Sequence, residues 1–308
     1  MVSVLILTKN EESDLPDCLK SVAWSDDVHV FDSFSTDRTL AIARKAKATV
    51  TQRAFDGYAR QRNAALNTLA FKYPWVLILD ADERIPARLR DQIISHVHAA
   101  KSGTSAFRFR RRDYLYNTWL KHSQISPHYI RLIRVGKARY FREINEVVYV
   151  DGNILDIDGY FMHYPFSKGI RHWVDKHNVY SGMEALRWME ETEGRYPFSV
   201  RRALFAKDFH QRRYHQKGLF YKVPGRPLVK WCYILFYRGG IFDGRAGWTY
   251  AFLQAIYEYL IVLKYQEHKR MRQKSGTHHA GTSQATAEQT DERLLPYRGS
   301  PNLPGVVD

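Results

Sequence analysis

The stretch WVLILDADER (75–84) joins five apolar or aromatic residues to a cluster of carboxylates. An apolar run of this length predicts a buried strand, Trp75–Leu79. Asp80, Asp82 and Glu83 follow, and unpaired carboxylates cannot remain in an apolar core. Asp80 and Asp82 leave an extended chain on the same side, where two hard oxygen ligands suit Mg²⁺ or Mn²⁺. Taken alone, the stretch also fits a solvated acidic turn with Asp82 as the N-cap of a helix.

The chain before this stretch alternates short apolar runs with helical patterns, which predicts an α/β fold with a mostly parallel sheet and right-handed crossovers. Polar clusters follow the first, second and fourth strands, at the sheet edge where such folds bind ligands. Neither GxGxxG nor GxxxxGK[ST] occurs near these turns, so a bound phosphate would need a metal and basic side chains. The predicted order is strand Val2–Leu7, helix Leu15–Val22, strand Asp27–Phe31, helix Arg38–Lys47, strand Thr49–Gln52, helix Tyr58–Phe71, strand Trp75–Leu79 and helix Pro86–His98.

The pattern changes after the eighth element. Strand-like stretches at Tyr129–Val135 and Tyr140–Val150 predict extra strands, mixed or antiparallel, on the edge of the parallel sheet. A long helix is predicted over Ser167–Glu193 and another over Phe198–His215. We expect a nucleotide-binding α/β domain at 1–160, a helical region at 161–271 that is basic and aromatic, and a polar, disordered tail at 272–308.

The composition restricts the partners. The chain has 308 residues and a formal net charge of +15, from 47 basic and 32 acidic residues, which favours anionic partners. Cys18 and Cys232 lie far apart and form no CxxC pair, so neither a disulfide framework nor a zinc site is expected. The N-terminus lacks a basic leader, and no run of about 18 uncharged apolar residues occurs. We therefore expect a cytoplasmic protein.

Two apolar, aromatic segments in the helical region carry few charges. They are Leu228–Phe242 and Trp248–Tyr265, and basic residues are frequent between positions 201 and 230. This composition fits a face that lies on the inner surface of the cytoplasmic membrane. It fits equally well a helical subdomain with ordinary packing and a solvated basic surface.

Four motifs in order resemble those of family 2 glycosyltransferases with the GT-A fold. They are LTKNEE (7–12), FDSFSTDRT (31–39), YARQRNAAL (58–66) and LDADE (79–83). Downstream pieces, including His163-Tyr164 and GGIFDG (239–244), resemble the branch that contains lipopolysaccharide core β-1,4-glucosyltransferases. The resemblance runs from residue 2 to about 265, and four motifs at successive strand ends are specific for the fold and reaction class.

The resemblance implies roles for the polar residues at the sheet edge. Thr8, Asn10 and Glu11 would line the nucleotide, and Asp32 would hydrogen-bond its base. The other implied positions are Arg62 near the diphosphate, Asp80 near the ribose or sugar, and Asp82 as the direct ligand of Mg²⁺ or Mn²⁺, with Asp80 beside it. Charge builds on the diphosphate as it leaves, and a divalent cation and an arginine stabilise that charge without proton transfer.

An inverting displacement also needs a base for the acceptor hydroxyl. Glu146 is the first candidate and Glu83 the second. The branch usually has His-Glu where this chain has Asn145-Glu146, so proton transfer by that histidine is not available here. Alternatively, Glu146 is a carboxylate on an edge strand that pairs with a nearby arginine. The alternative for Glu83 is a carboxylate in the first turn of a helix, where the helix dipole favours it. His163 is expected to be a core histidine, with an acceptor ligand as the alternative.

The sequence thus predicts an inverting glycosyltransferase that moves a hexose, with glucose favoured, from a nucleotide sugar (a UDP-hexose favoured) to a lipopolysaccharide core or similar glycolipid. The alternative is an inactive GT-A-like protein that binds an anionic surface or nucleic acid. The intact set of carboxylates argues against inactivity, and nucleic acid is not the expected partner.

Overall fold

A computed structural model describes residues 1–141, 147–192, 199–205, 212, 215–216, 220, 223–279 and 306–307. The chain divides into two compact units. The first, the sheet unit, contains residues 1–121 and 125–168, and the second, the helical unit, contains residues 122–124 and the helices from Gly169 onward. The predicted border at 160 thus falls eight residues before the border between the two units.

The sheet unit begins with the predicted alternation of strands and helices, which is confirmed. Its elements are β1 Ser3–Thr8, α1 Leu15–Ser21, β2 Val28–Asp32, α2 Thr39–Lys45, β3 Thr49–Gln52, α3 Tyr58–Thr68, β4 Trp75–Asp80, β5 Glu83–Arg84, α4 Ala87–Ala99, β6 Thr104–Leu115, β7 Thr118–Trp119, β8 His128–Arg134, β9 Ala138–Phe141, β10 Val147–Val150 and β11 Asn153–His163. The main sheet has the order β3-β2-β1-β4-β8-β6-β11-β5, and β7 pairs with β6.

The sheet is mixed, as the sequence predicts for its second half. Strands β1, β2, β3 and β4 are parallel, whereas β8 is antiparallel to both β4 and β6. Strand β10 pairs with β9 on one side and with Val306–Val307 on the other, in a separate small sheet. The sequence prediction missed β11, which pairs in parallel with β6. Its two bulge-like register shifts interrupt the alternation of apolar residues that would have identified it.

Alternate residues of the central strands face two separate cores. Val4, Ile6, Leu77 and Leu79 pack against α1, α2 and α4 on one side of the sheet. The residues between them face α3 and the small sheet on the other side. Complete burial of a leucine or isoleucine contributes about 1.5–3 kcal/mol, so this period-two pattern fixes the register of β4. The carboxylates after β4 are thereby placed at the carboxyl edge of the sheet.

The helical unit consists of α5 Gly169–Thr192, α6 Val200–Phe205, α7 Arg226–Cys232, a π-helical turn Tyr233–Tyr237, a 3₁₀ turn Gly240–Asp243 and α8 Gly244–His279. Stacked rings join α5 to α8, with Trp188 and Tyr265 centroids 3.8 Å apart. Of the predicted tail, the part up to His279 continues α8, and most of the remainder lies outside the described residues. Among the helices that the structure describes, none has the length and apolar character needed to cross a membrane.

Candidate active site

Hydrogen bonds to the buried carboxylate of Asp32, which is 0% exposed, connect the turns after β1 and β2. Its Oδ1 accepts a hydrogen bond from Thr8 Oγ1 at 2.9 Å, and its Oδ2 accepts one from the Ser35 backbone N–H at 2.8 Å. Gln52 Nε2 donates a further bond at 3.1 Å. The Ser35 hydroxyl also donates to Asp32 Oδ1, and because these four donors satisfy the buried group, Asp32 orders the loops at the sheet edge. The predicted contact between Asp32 and a nucleotide base stays a prediction.

Asn10 lies on the same edge in an exposed, left-handed conformation with φ 55°. Its Oδ1 accepts a hydrogen bond from the Thr36 backbone N–H at 2.8 Å, and its own N–H donates to Ser35 Oγ at 2.8 Å. Asparagine tolerates this backbone region better than most residues. The two loops predicted to line the nucleotide therefore form one hydrogen-bonded rim.

Glu11 follows Asn10 but is largely buried and pairs with Lys168, whose Nζ lies 2.6 Å from Glu11 Oε1. Burial raises the pKa of Glu11 from 4.5 to about 7, although Lys168 opposes this shift. A carboxyl group whose pKa is higher in the folded chain binds protons more tightly there than in the unfolded chain. The stability that it contributes is thus lost as the pH rises through about 7.

Replacement of Glu11 by glutamine is expected to remove this pH dependence. Wild type should lose stability relative to Glu11→Gln between about pH 4.5 and 7. The loss is roughly 1–3 kcal/mol, since one pKa unit corresponds to about 1.36 kcal/mol. Urea unfolding at pH 5 and pH 8 measures the difference. An equal free-energy difference at both pH values would contradict the assignment.

Asp80 ends β4 between two guanidinium groups. Arg62 Nη2, from α3, lies 2.9 Å from Asp80 Oδ1, and Arg131 Nη2, from β8, lies 3.2 Å from Asp80 Oδ2. Burial would raise the pKa of Asp80, but Arg62 and Arg131 outweigh it and hold the pKa well below its usual range. Asp80 is therefore an anion throughout the physiological range, and it holds Arg62 at the sheet edge. The predicted place of Arg62 near a diphosphate stays a prediction.

Glu83 is 0% exposed and lies in the two-residue strand β5. It is not in the first turn of α4, which begins at Ala87. Its Oε1 lies 2.5 Å from Arg131 Nη2, and its Oε2 accepts the Asp80 backbone N–H at 3.0 Å. Burial raises the pKa of Glu83 to about 6, although Arg131 acts in the opposite direction. Both carboxylate oxygens of Glu83 accept hydrogen bonds within the protein. Glu83 therefore fixes the positions of Asp80 and Arg131.

Asp82 faces a histidine that the sequence prediction assigned to the core. His163, at the end of β11, lies between two carboxylates, with Nε2 3.3 Å from Asp82 Oδ2 and Nδ1 2.5 Å from Asp113 Oδ1. Burial lowers the pKa of His163, but Asp82 and Asp113 outweigh it and raise the pKa to about 9. The two carboxylates thus favour the charged form of His163.

The donor atoms around Asp82 suit a divalent cation. Asp82 Oδ2 and His163 Nε2, 3.3 Å apart, are close enough to bind one ion, which His163 would coordinate in its neutral form. Among the described residues, no group of three or more His, Cys, Asp or Glu forms a metal site. A metal here would take its other ligands from diphosphate oxygens and water. A mixed oxygen and imidazole set favours Mn²⁺ over Mg²⁺.

Sequence reasoning missed three residues of this cluster: Arg131, Asp113 and Lys168. Arg131 is 7% exposed in the middle of β8, and Asp113 is 3% exposed near the end of β6. A charged residue at an inward position of a strand-like stretch such as YIRLIRV was the available signal, because a buried charge needs a partner. Glu146, the first candidate for the base, lies outside the described residues.

An open groove of about 940 Å³ adjoins this cluster in the sheet unit. Arg84 and Tyr164 line it, and the Tyr164 backbone N–H donates to the Asp82 carbonyl at 2.9 Å. Trp24 contributes an aromatic wall, Lys20 and Arg90 contribute cations, and Asp14 and Asp17 contribute carboxylates. One backbone hydrogen bond thus connects Tyr164, which lines the groove, to Asp82.

Two related proteins align with most of this chain. The chain is 27% identical over 279 residues to the lipopolysaccharide core biosynthesis glycosyltransferase LpsC of Rhizobium meliloti (strain 1021), covering 87% of this chain and 93% of that protein. It is 29% identical over 234 residues to the uncharacterized glycosyltransferase RT0209 of Rickettsia typhi, covering 70% and 79%.

The fold resembles that of the mannosyltransferase PcManGT from Pyrobaculum calidifontis, solved with GDP-Man and Mn²⁺. The TM-score is 0.51 at 16% identity, and the alignment covers 86% of each chain. The predicted GT-A type of α/β fold is thereby confirmed. A family model described as glycosyl transferase family 2 matches residues 3–167, more than half of the chain. The chain belongs to glycosyl transferase family 2 and is a glycosyltransferase.

Proposed function

We propose that this glycosyltransferase is metal-dependent and inverting, and that it moves a hexose from a nucleotide sugar to a hydroxyl of a lipopolysaccharide core or similar glycolipid. The observation that carries the proposal is the cluster of Arg62, Asp80, Asp82 and His163 at the carboxyl edge of the sheet. Similarity to LpsC, over nearly the full length of both chains, supports the acceptor class. A UDP-hexose, with glucose first, is the favoured donor.

The donor would lie along the edge formed by β1, β2 and β4. Thr8, Asn10, Glu11 and Asp32 belong to the hydrogen-bonded rim on the nucleotide side. Arg62, held by Asp80 at 2.9 Å, supplies a positive charge for the diphosphate. Asp82 and His163 would hold Mn²⁺ or Mg²⁺, with Asp80 close behind, and the presence of Mn²⁺ in the PcManGT structure supports this choice.

Transfer breaks the bond between the anomeric carbon and the diphosphate while the acceptor oxygen attacks from the opposite face. The metal, when bound, neutralises part of the charge that develops on the leaving diphosphate. Arg62 stabilises the same charge from a partly desolvated position, where it is worth more than in water. Glu146 remains our candidate for the base that takes the acceptor proton, and Glu83 positions Asp80 and Arg131.

The function is tested by hydrolysis and transfer assays with a panel of nucleotide sugars. We expect turnover with Mn²⁺ or Mg²⁺, loss of turnover in EDTA and recovery when Mn²⁺ is added in excess. A nucleoside diphosphate with Mn²⁺ should also raise the melting temperature, because it binds only the folded chain. Failure of every nucleotide and metal to shift the melting temperature, together with salt-sensitive binding of nucleic acid, would favour the inactive, anion-binding alternative.

We further propose that the groove beside Arg84 and Tyr164 admits an anionic acceptor. Reversal of charge in Lys20→Glu/Arg90→Glu should raise the acceptor KM about tenfold, because charges at a binding rim act mainly on ligand association. Donor hydrolysis should not change, since neither residue lies in the cluster around Asp82. Arg44→Glu, an exposed position on α2, is the matched control. An unchanged acceptor KM in the double variant would exclude this route.

A further inference from the structure

The hairpin that joins β6 to β7 turns through two residues, Tyr116 and Asn117. Leu115 pairs with Thr118 across the hairpin, and both turn residues have positive φ, 51° for Tyr116 and 58° for Asn117. Positive φ at both central positions is typical of a type I′ turn, in which asparagine, aspartate and glycine are strongly preferred. Asn117 agrees with this preference, whereas Tyr116 places a bulky side chain on a left-handed backbone.

Burial does not explain a tyrosine at this position. The left-handed region is unfavourable for most residues other than glycine and asparagine, because the Cβ atom approaches the following carbonyl oxygen. Tyr116 is 53% exposed, so packing in the interior of the protein does not offset that cost. Backbone outliers cluster at active sites and ligand-binding sites, and an observed outlier motivates a hypothesis of function. The conformation of Tyr116 therefore indicates a role for its ring at the surface.

The two strands of the hairpin are fixed to the candidate active site. Tyr114 of β6 stacks on Tyr164, with ring centroids 5.2 Å apart, and the Tyr164 backbone N–H donates to the Asp82 carbonyl. Leu120, directly after β7, donates its backbone N–H to the Asp113 carbonyl at 2.9 Å. All of these residues belong to the sheet unit, so the turn has a defined position relative to Asp82.

The turn borders the groove of about 940 Å³, because Asn117 is one of the residues that line it. The groove also contains two aromatic residues, Trp24 and Tyr164, and the hydroxyl groups of Ser13 and Ser167. A pyranose ring has an apolar face of C–H groups and hydroxyl groups around its rim. Aromatic rings suit the apolar face, and neutral hydrogen-bonding groups suit the hydroxyl groups. The composition of the groove thus fits a sugar ring.

We propose that Tyr116 is a specificity-determining residue that stacks on a pyranose ring of the acceptor beside this groove. Tyrosine suits this role, since it supplies a large, rigid and amphipathic surface and loses little conformational entropy on contact. The inference rests on the proposed function and names a sugar ring as the part of the acceptor that is recognised. The hexose of the donor is not the expected occupant, because none of the rim residues Thr8, Asn10 and Asp32 is among the described residues that line the groove.

Replacement of Tyr116 by asparagine separates the effect of the ring from that of the turn. Asparagine is favoured at this position of a type I′ turn, so the melting temperature should equal or exceed that of wild type. The acceptor KM should nevertheless rise about tenfold, the factor that corresponds to burial of one apolar sugar face against a ring. The donor KM should not follow. Tyr116→Phe keeps the ring and the strained backbone, and its acceptor KM should stay close to that of wild type.

Lys47→Asn is the matched control. Lys47 is exposed, has positive φ of 59° shortly after α2, and does not line the groove. Asparagine should again preserve or raise the melting temperature, and the acceptor KM should stay at the wild-type value. A lower melting temperature in Tyr116→Asn would assign Tyr116 to stability and overturn the proposal. So would an acceptor KM that is unchanged in Tyr116→Asn or that rises equally in Tyr116→Phe.

Direct binding keeps the test independent of the proposed function. Calorimetry with a nucleoside diphosphate, Mn²⁺ and a panel of deacylated lipopolysaccharide core oligosaccharides needs no turnover. Wild type should bind at least one oligosaccharide about tenfold more tightly than Tyr116→Asn does. Binding without transfer from any nucleotide sugar would contradict the proposed function and leave the stacking intact. Transfer with equal oligosaccharide affinity in the two proteins, or no oligosaccharide binding by wild type, would overturn the stacking.

Discussion

Replacement of Asp82 by asparagine is expected to lower kcat for sugar transfer by about 10³-fold. Loss of one preorganised charge at the site of developing charge typically costs 10²–10³ in rate, and loss of a metal ligand adds to that. Asparagine keeps the size of the side chain but removes the charge that faces His163 at 3.3 Å. Transfer assays with saturating donor and Mn²⁺ measure the effect.

Binding measurements distinguish loss of the metal from loss of the fold. Asp82→Asn should no longer show the extra melting-temperature shift that Mn²⁺ adds to a nucleoside diphosphate, whereas its melting temperature without ligand should fall only modestly, because Asp113 remains paired with His163. Asp151→Asn is the matched control, because that carboxylate is 66% exposed and pairs with Lys137 at the surface. Turnover near the wild-type rate in Asp82→Asn would remove Asp82 from the proposed metal site.

Replacement of Arg131 by methionine is expected to destabilise the sheet unit by about 3–5 kcal/mol. Removal of one partner of a buried ion pair leaves an uncompensated charge, which is the reason for a cost of this size. Arg131 is 7% exposed and holds Glu83 at 2.5 Å and Asp80 at 3.2 Å. Urea unfolding measures the free energy, and the midpoint should fall with no change in slope.

The pH dependence of the stability of Arg131→Met, together with a double variant, identifies the cause of the destabilisation. Without Arg131, Glu83 has a still higher pKa in the folded chain, so the stability of Arg131→Met should increase as the pH falls from 8 to 5. Arg131→Met/Glu83→Gln should recover part of the loss at pH 8. The control Arg110→Met, which removes a cation that is 56% exposed and 3.8 Å from Asp158, should change stability by less than about 1 kcal/mol. An equal loss in both single variants would refute the buried-pair explanation.

The candidate site was partly predictable because strand ends are visible in a sequence. Asp80 and Asp82 follow an apolar run, and Asp32 follows another, so a parallel sheet brings them to one edge. Arg62 was found through the resemblance of its motif, and the structure places it 2.9 Å from Asp80. The division of roles among the carboxylates was not predictable, since it depends on which cations β8 and β11 bring near them.

His163 illustrates that limit. In the sequence it is a histidine near the end of an irregular strand, 81 residues after Asp82, and an apolar neighbourhood predicts a core residue. Pairing of β11 with both β5 and β6 brings its two ring nitrogens to Asp82 and Asp113. Glu83 shows the opposite case. The sequence predicted it as a candidate base, and the structure shows it as a fully buried partner of Arg131.

The sequence by itself determined the α/β fold and the sheet edge that carries the candidate site, because hydrophobic periodicity and the spacing of polar turns are local properties. The family was identified from the resemblance of four motifs. The tertiary structure alone decided which carboxylate faces a cation, which one is buried against Arg131, and which aromatic residues of the helical unit stay exposed. These outcomes depend on contacts between residues far apart in the chain. Burial and charge pairing at such contacts set the pKa of each group, and no local pattern encodes them.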